Sequence, residues 1–325
     1  MSIVRSRRAA LRSATVGLGL AAILGSAMVG PVSAAPAGAD RPEVMMKIHG
    51  LASGNRAKPV RGGGGLNLTY HGGVGGIGVV TGRDLVYLVY WGSQWSNDPS
   101  GEAALQQSFF SHVGGSSWNN SVTQYCQGVG AGAPSCPNGS AFATNPNNVL
   151  GGVWFDNTGT APGRPSQSQL AAEAVKAAAH FGNTTAASNT TVQYVINTAT
   201  GNNASGFGTQ YCAWHSSTNS TYGNIAYTNM PYITDAGAGC GANFNGLGPK
   251  AGITIVGGHE FAETETDIFP SGGWLDRNGA ENGDKCAWIS SGQGASANVD
   301  LGGATFAVQS LWSNASNGGS CVNSF

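Results

Sequence analysis

Lys250-Ala251-Gly252-Ile253-Thr254-Ile255-Val256-Gly257-Gly258-His259-Glu260-Phe261-Ala262-Glu263-Thr264-Glu265-Thr266-Asp267 is the stretch on which the reading turns. Ile253, Val256 and Phe261 stand among small residues, so the segment predicts a helix over about 250–267, closely packed against its neighbours. Gly257 and Gly258 each weaken such a helix by about 1 kcal/mol relative to alanine, which implies that another element needs the backbone close there. On that helix His259 and Glu263 are four apart and share one face. The same spacing lets a His-Glu-x-x-His motif put two ligands on one zinc ion, with the intervening Glu as general base. Here Glu263 replaces the second histidine, and a carboxylate oxygen suits Zn²⁺ at about 2.0–2.2 Å. Glu260 keeps the place of the base.

A catalytic zinc wants three protein ligands and an open position. Seven acids, Glu260, Glu263, Glu265, Asp267, Asp276, Glu281 and Asp284, fall within 25 residues, balanced there by Arg277 and Lys285 alone. Crowded carboxylates repel, protonate or hold a cation. Glu281, 18 residues past Glu263, is the expected third ligand, a distance comparable to zincins that take a glutamate from a following helix. Asp284 is expected to orient His259 by accepting its second N–H. Asp276 and Asp267 are the alternatives, and Asp267, about 12 Å along a continuous helix from His259, reaches the ion only past a break. A rival reading gathers Asp276, Asn278, Glu281 and Asp284 into an oxygen-rich Ca²⁺ loop that stabilises the fold, alone or beside the zinc. His215, in Tyr211-Cys212-Ala213-Trp214-His215-Ser216, is the second catalytic candidate, a donor toward a developing oxyanion on a loop tethered by its cysteine. No Gly-x-Ser-x-Gly elbow follows a strand to suggest a serine hydrolase.

Outward from this segment, the pattern is that of an α/β (α+β) domain with a central sheet. Asp84–Trp91 is a β-branched and aromatic run of strand length, and Val149–Phe155 and Val192–Asn197 read the same way. Leu105, Phe109 and Val113 mark a helix over 102–113. Ser166 and Gln169 form a capping-box pattern ahead of Leu170, Ala174, Ala177 and Phe181, and Gly182 stops that helix. Strand alternating with helix implies a layered sheet. The Gly/Asn/Ser-rich stretch up to Tyr211 reads as surface loop with a sub-boundary near 200–210. Asn224–Tyr232 reads as a strand whose free edge accepts a peptide, and Ala304–Trp312 as part of a hairpin.

Arg5, Arg7, Arg8 and Arg12, the apolar run Val16–Val29 and the small-residue pattern ending at Ala34 read as an export signal over 1–34. The segment 35–65, ending in Arg61-Gly62-Gly63-Gly64-Gly65, reads as a linker or pro-segment outside the fold, which leaves 66–325 as one domain. Six cysteines in an exported chain imply disulfides, and proximity pairs Cys126 with Cys136, Cys212 with Cys240 and Cys286 with Cys321. After Gly65 there are six Lys/Arg against fourteen Asp/Glu, which disfavours a nucleic-acid partner. No later segment approaches the roughly 20 apolar residues of a membrane span. The expectation is a secreted monomer acting on a peptide or protein substrate.

Leu68-Thr69-Tyr70-His71-Gly72-Gly73, Cys212-Ala213-Trp214-His215-Ser216, His259 through Asp267, Gly273-Trp274-Leu275-Asp276, Glu281 through Trp288, and Val308 through Asn314 resemble a family of secreted bacterial proteins distantly similar to the plant phosphate-induced, exordium-type proteins. The resemblance spans nearly all of the mature chain and is most specific in its last third. It implies an extracellular, wall-associated protein, and a non-enzymatic one if any ion is structural. Plant members lack the His-Glu-x-x-Glu segment but keep a residue matching Glu281, which implies a structural Glu281 and a third ligand at Asp284 or Asp276. The bacterial pattern has Thr-Asp-Pro where this chain has Thr266-Asp267-Ile268.

Overall fold

Leu85–Trp91 alternates two apolar sets, and each finds its own core. Val86, Leu88 and Tyr90 face one side of a sheet. Leu85, Tyr87 and Val89 face the other, as the two-residue period of a strand requires. The computed structural model describes residues 44–50 and 67–325. The export signal over 1–34 and most of 35–65 lie outside the described residues.

In chain order the strands are β1 (Val44–Lys47), β2 (Thr69–Tyr70), β3 (Leu85–Trp91), β4 (Cys126–Gln127), β5 (Ala141–Phe142), β6 (Leu150–Asp156) and β7 (Val192–Thr198). They continue with β8 (Tyr211–Ser220), β9 (Gly223–Met230), β10 (Trp274–Leu275), β11 (Ala297–Leu301), β12 (Ala304–Val308), β13 (Leu311–Ser313) and β14 (Ser320–Val322). The α-helices are α1 (Glu102–His112), α2 (Gln167–His180) and α3 (Ala251–Thr266). Six strands make a central mixed sheet in the order β1-β8-β9-β7-β3-β6. β6, β3, β7 and β9 run parallel, while β8 and then β1 are added antiparallel. Four two-stranded ladders, β2 with β10, β4 with β5, β11 with β12 and β13 with β14, complete the pairing.

α2 covers one face of this sheet through Leu170, Ala171, Ala174, Ala177 and Ala178. Its capping box is formed, with the Ser166 side chain accepting from Gln169 N–H and the Gln169 side chain accepting from Ser166 N–H. α1 and α3 lie on the opposite face, where Phe110 meets Phe261 edge to face at 5.6 Å. Every residue of α3 is buried, between the sheet, α1 and β12. Its glycines explain how it fits. A Cβ on Gly258 would meet the Trp118 and Phe109 rings at 3.1 and 3.2 Å, and one on Gly252 would stand 1.8 Å from the Cys240 carbonyl oxygen. At Gly257 a Cβ would meet only the Met230 methyl at 3.6 Å, so close approach is the reason for the other two and not for this one.

Three expectations are corrected here. The segment 35–65 is not wholly outside the fold, because Val44–Lys47 is hydrogen-bonded along β8 as the outermost strand. The strand near 224–232 has no free edge, since β9 lies between β8 and β7. His215 sits within β8 rather than on a loop, with Thr228 of β9 opposite it. β7 and the β8/β9 hairpin, on either side of 200–210, belong to the same sheet.

The disulfides are Cys126–Cys136, Cys212–Cys240 and Cys286–Cys321, with Cα–Cα distances of 6.0, 5.4 and 5.7 Å, and they suit an oxidising compartment. Cys212–Cys240 ties the His215 strand to the turn ahead of α3, and Cys286–Cys321 ties the Glu281–Cys286 segment to β14. The latter closes a loop of sequence separation 35, worth about 3–4 kcal/mol in unfolded-chain entropy. The double variant Cys286→Ala/Cys321→Ala is expected to lose that much in urea unfolding, and an unchanged midpoint would refute the assignment. Among the described residues no helix is long and apolar enough to cross a membrane.

Candidate metal centre

Three segments meet at the end of the sheet where β8 passes α3. The helix presents His259, Glu260 and Glu263 from successive turns, β8 presents His215 from the face opposite Trp214, and the loop after β10 presents Glu281 and Asp284. The spacing of four places His259 Nε2 3.0 Å from Glu263 Oε1. Asp284 Oδ1 is 4.0 Å from the same nitrogen. The other oxygen of Glu263 faces His215 Nε2 at 3.6 Å, and His215 Nε2 is 2.8 Å from Glu281 Oε2. Glu263 is therefore shared between two compact trios, His259–Glu263–Asp284 and His215–Glu260–Glu263, whose ligand atoms lie within 4.8 Å of one another in each.

Gln309, just beyond β12, fixes the His259 ring, a role expected of Asp284. Its Nε2 donates to the carbonyls of Gly283 at 2.8 Å and Ser310 at 3.2 Å. Its Oε1 is thereby turned toward His259 Nδ1 at 3.2 Å. An amide oxygen only accepts, so Nδ1 carries a proton, and Nε2 meets the carboxylates either as a bare lone pair or as a second N–H. The correction to Asp284 has a simple cause: its carboxylate lies on the Nε2 side of the ring, where it is a ligand candidate rather than an orienting acceptor. Its backbone N–H donates to Glu263 Oε1 at 2.8 Å. Gly283 leaves the room for this arrangement, since a Cβ there would stand 2.8 Å from His259 Nδ1 and 2.9 Å from Glu263 Oε1.

The alternatives are otherwise engaged. Asp267 accepts from the N–H groups of Ser271, Gly272 and Gly273 and shapes the turn after α3. Asp276 accepts from Asn278 and Ala280 N–H and pairs with Lys285 at 3.2 Å. The Asp276–Asn278–Glu281–Asp284 loop thus does not converge on one point. Its first acid closes a turn while Glu281 turns inward to His215.

What remains is a set of buried polar atoms: both Glu260 oxygens, Glu263 Oε2 and Glu281 Oε1 have no hydrogen-bond partner, and His259 Nε2 meets the Glu263 carboxylate at 3.0 Å. All four residues are at most 1% exposed. Such atoms cost about 1–3 kcal/mol each when left unsatisfied, so a cluster of them marks a place for something else. A divalent cation fits. Two atoms bound at about 2.0–2.1 Å to one tetrahedral ion lie about 3.3 Å apart, close to the His259–Glu263 separation. Two imidazoles among carboxylates suit Zn²⁺ better than Ca²⁺, which takes oxygen ligands.

The electrostatics of the cluster agree. Burial works to depress His259, but Glu263, Glu260 and Asp284 around it outweigh that and raise it to about 10. Burial also pushes Glu260 and Glu281 well above the usual carboxylate range, and Asp284 up to about 7. Burial depresses His215 to about 4 against the pull of Glu263. Among the carboxylates of the cluster Glu263 alone is lowered, because the attraction of His259 overcomes its burial. His259 and Glu263 thus form a charged pair while burial favours the neutral forms of Glu260, Glu281 and His215, and a cation bound here displaces protons. Zinc uptake is expected to release at least one proton near pH 6.5 and to tighten as pH rises toward 8. Calorimetry in buffers of different ionisation enthalpy reads this directly, and buffer-independent heats would count against it.

The helix spacing made His259, Glu260 and Glu263 visible in the sequence, and the acid cluster made Glu281 and Asp284 visible. Gln309 carries no local signal, since β12 alone brings it to a ring 50 residues earlier. No family model, curated protein or solved structure matches the chain.

Proposed function

We propose that the chain is an exported, zincin-like α/β hydrolase, a zinc metalloendopeptidase acting as a monomer on peptide or protein substrates. His259, Glu263 and Asp284 are its metal ligands, Glu260 is its general base, and Glu281 holds His215. The single observation that carries the reading is the convergence of two buried imidazoles and several unpartnered, fully buried carboxylate oxygens around Glu263. Zn²⁺ would supply a Lewis acid that polarises a scissile carbonyl and acidifies water. Glu260, adjacent to His259 and three residues before Glu263 on the same helix, would take the proton from water. His215 would be the donor toward developing negative charge. Export and an extracellular location rest on the basic, apolar leader and the three disulfides.

One observation favours a second reading, a non-enzymatic exordium-like protein with a structural ion. His259, Glu260, Glu263 and Glu281 are sealed from solvent, and Asp284 alone has a partly exposed side chain, at 26%. Metal content separates the hydrolase from an unmetallated protein. The purified chain is expected to carry about one zinc, to lose peptidase activity with it on chelation, and to regain both on zinc addition. A chain purified without zinc and unable to bind it would end the proposal. A chain that keeps zinc but hydrolyses no peptide in any processed form would support the second reading.

A further inference from the structure

The one strand that the sequence sets apart from the domain lies beside the site, paired with β8 and packed against α3. β1 pairs antiparallel with β8, Val44 opposite His215, Met45 opposite Trp214 and Met46 opposite Ala213, and a bulge follows between Met46 and Lys47. Met45 faces the α2 side with Trp214. Met46 faces the α3 side and is fully buried there. The Met46 amide lies close enough to Glu260 to favour its ionised form, without completing a hydrogen bond to either carboxylate oxygen. Beyond the bulge the chain stays pinned. Trp288 Nε1–H donates to the Lys47 carbonyl at 2.7 Å, and His49 N–H donates to the Gly239 carbonyl at 2.8 Å. The His49 ring meets Phe244 at 5.1 Å and Trp288 at 5.9 Å.

Without β1, the outermost strand of the sheet would be β8, the strand that carries His215, with its hydrogen-bonding edge open beside Glu260 and Asp284. An edge of that kind takes an extended peptide through main-chain hydrogen bonds, with alternate side chains selecting the sequence. β1 meets each of these requirements within one chain: it is extended, it is antiparallel, and it runs past the base.

We propose that Val44–His49 is an intramolecular stand-in for the substrate, an extended peptide seated on the β8 edge, and that its release opens the site. The proposal rests on the hydrolase reading and adds to it the substrate's shape and orientation. The substrate lies antiparallel to β8, with an unbranched apolar side chain in the place of Met46 and a ring between Phe244 and Trp288 in the place of His49. It also accounts for the sealed geometry: the charged cluster is held out of water until the strand leaves.

The test uses the full chain with a sequence-specific protease site inserted between residues 50 and 67, cut after folding, so that no variant need fold in a new form. The readout is independent of metal and of activity: modification of His215 by diethyl pyrocarbonate, followed by peptide mass. Cutting and washing out the N-terminal fragment is expected to raise the His215 modification rate at least 10-fold, and adding back the synthetic peptide Glu43–Gly50 is expected to restore protection. His215 shielded equally before and after the fragment is removed would overturn the proposal, as would exposure that the peptide cannot reverse. Metal content of the same samples is scored separately. Exposure of His215 in a chain that binds no zinc overturns the hydrolase reading while upholding the releasable strand. Zinc binding with His215 still shielded overturns the strand and leaves the hydrolase reading in place.

Discussion

Glu260→Gln is expected to lower peptide hydrolysis by about 10²–10⁴-fold, the range a positioned general base contributes, while leaving the fold intact. The replacement is isosteric and removes a carboxyl whose neutral form burial already favours, so stability should stay level or rise. Both Glu260 oxygens lack hydrogen-bond partners, and no network is broken by the change. The measurement is a paired one, turnover of a peptide substrate after release of β1 and zinc affinity of the same preparation.

The pairing matters because Glu260 belongs to one trio of possible ligands and not to the other. Turnover lost with zinc affinity unchanged places the ion with His259, Glu263 and Asp284 and leaves Glu260 as base. Zinc affinity lost with turnover moves the ion to His215, Glu260 and Glu263, and the base must then be sought elsewhere. Full activity with normal zinc binding would defeat the mechanism outright. An amide at this position cannot take a proton from water at neutral pH.

The elements that were legible in the sequence owe it to strong local signals. β3 is a continuous apolar run because both faces of the parallel sheet are covered there, β6 and β7 carry β-branched and aromatic residues of strand length, and α2 announces itself through Ser166, Gln169 and Gly182. α3 was legible for its chemistry rather than its period, since a helix buried on every side has no polar face to set against an apolar one. β8 was hidden by Ser216-Ser217-Thr218-Asn219-Ser220, a hydroxyl-rich run that resembles loop. These residues are tolerated in the sheet because β9 satisfies their backbone. β1 was hidden more thoroughly. Four residues between polar, Gly- and Pro-containing segments carry no strand signal of their own, and their conformation is dictated by the β8 edge. The same non-local cause hid Gln309. Elements set by distant partners are thus the ones that complete and close the site, while its chemical groups lie on an element with a local motif.

Glu263 is where the two trios meet, and its removal should cost both stability and metal. It is the partner of His259 at 3.0 Å and accepts the Asp284 N–H at 2.8 Å. Glu263→Ala leaves the imidazolium buried and unpaired, which costs about 3–5 kcal/mol for a broken buried pair. The dependence on pH follows from the two partners. The His259 contribution is complete below its ordinary value near 6.5 and is lost as pH rises through about 10. Glu263, lowered, contributes above its ordinary value near 4.5 and ceases to do so on acidification below it. The gap between wild type and variant in urea unfolding should therefore be widest between these limits and close toward either extreme. Glu263→Gln retains the shape and an acceptor for the Asp284 N–H, so it serves if the alanine variant fails to fold. Zinc at 100 times its dissociation constant should stabilise the wild type by about 2.7 kcal/mol and the Gln variant hardly at all. A Gln variant stabilised by zinc as strongly as the wild type would show that the ion does not bind at Glu263, and neither trio could then be the metal centre.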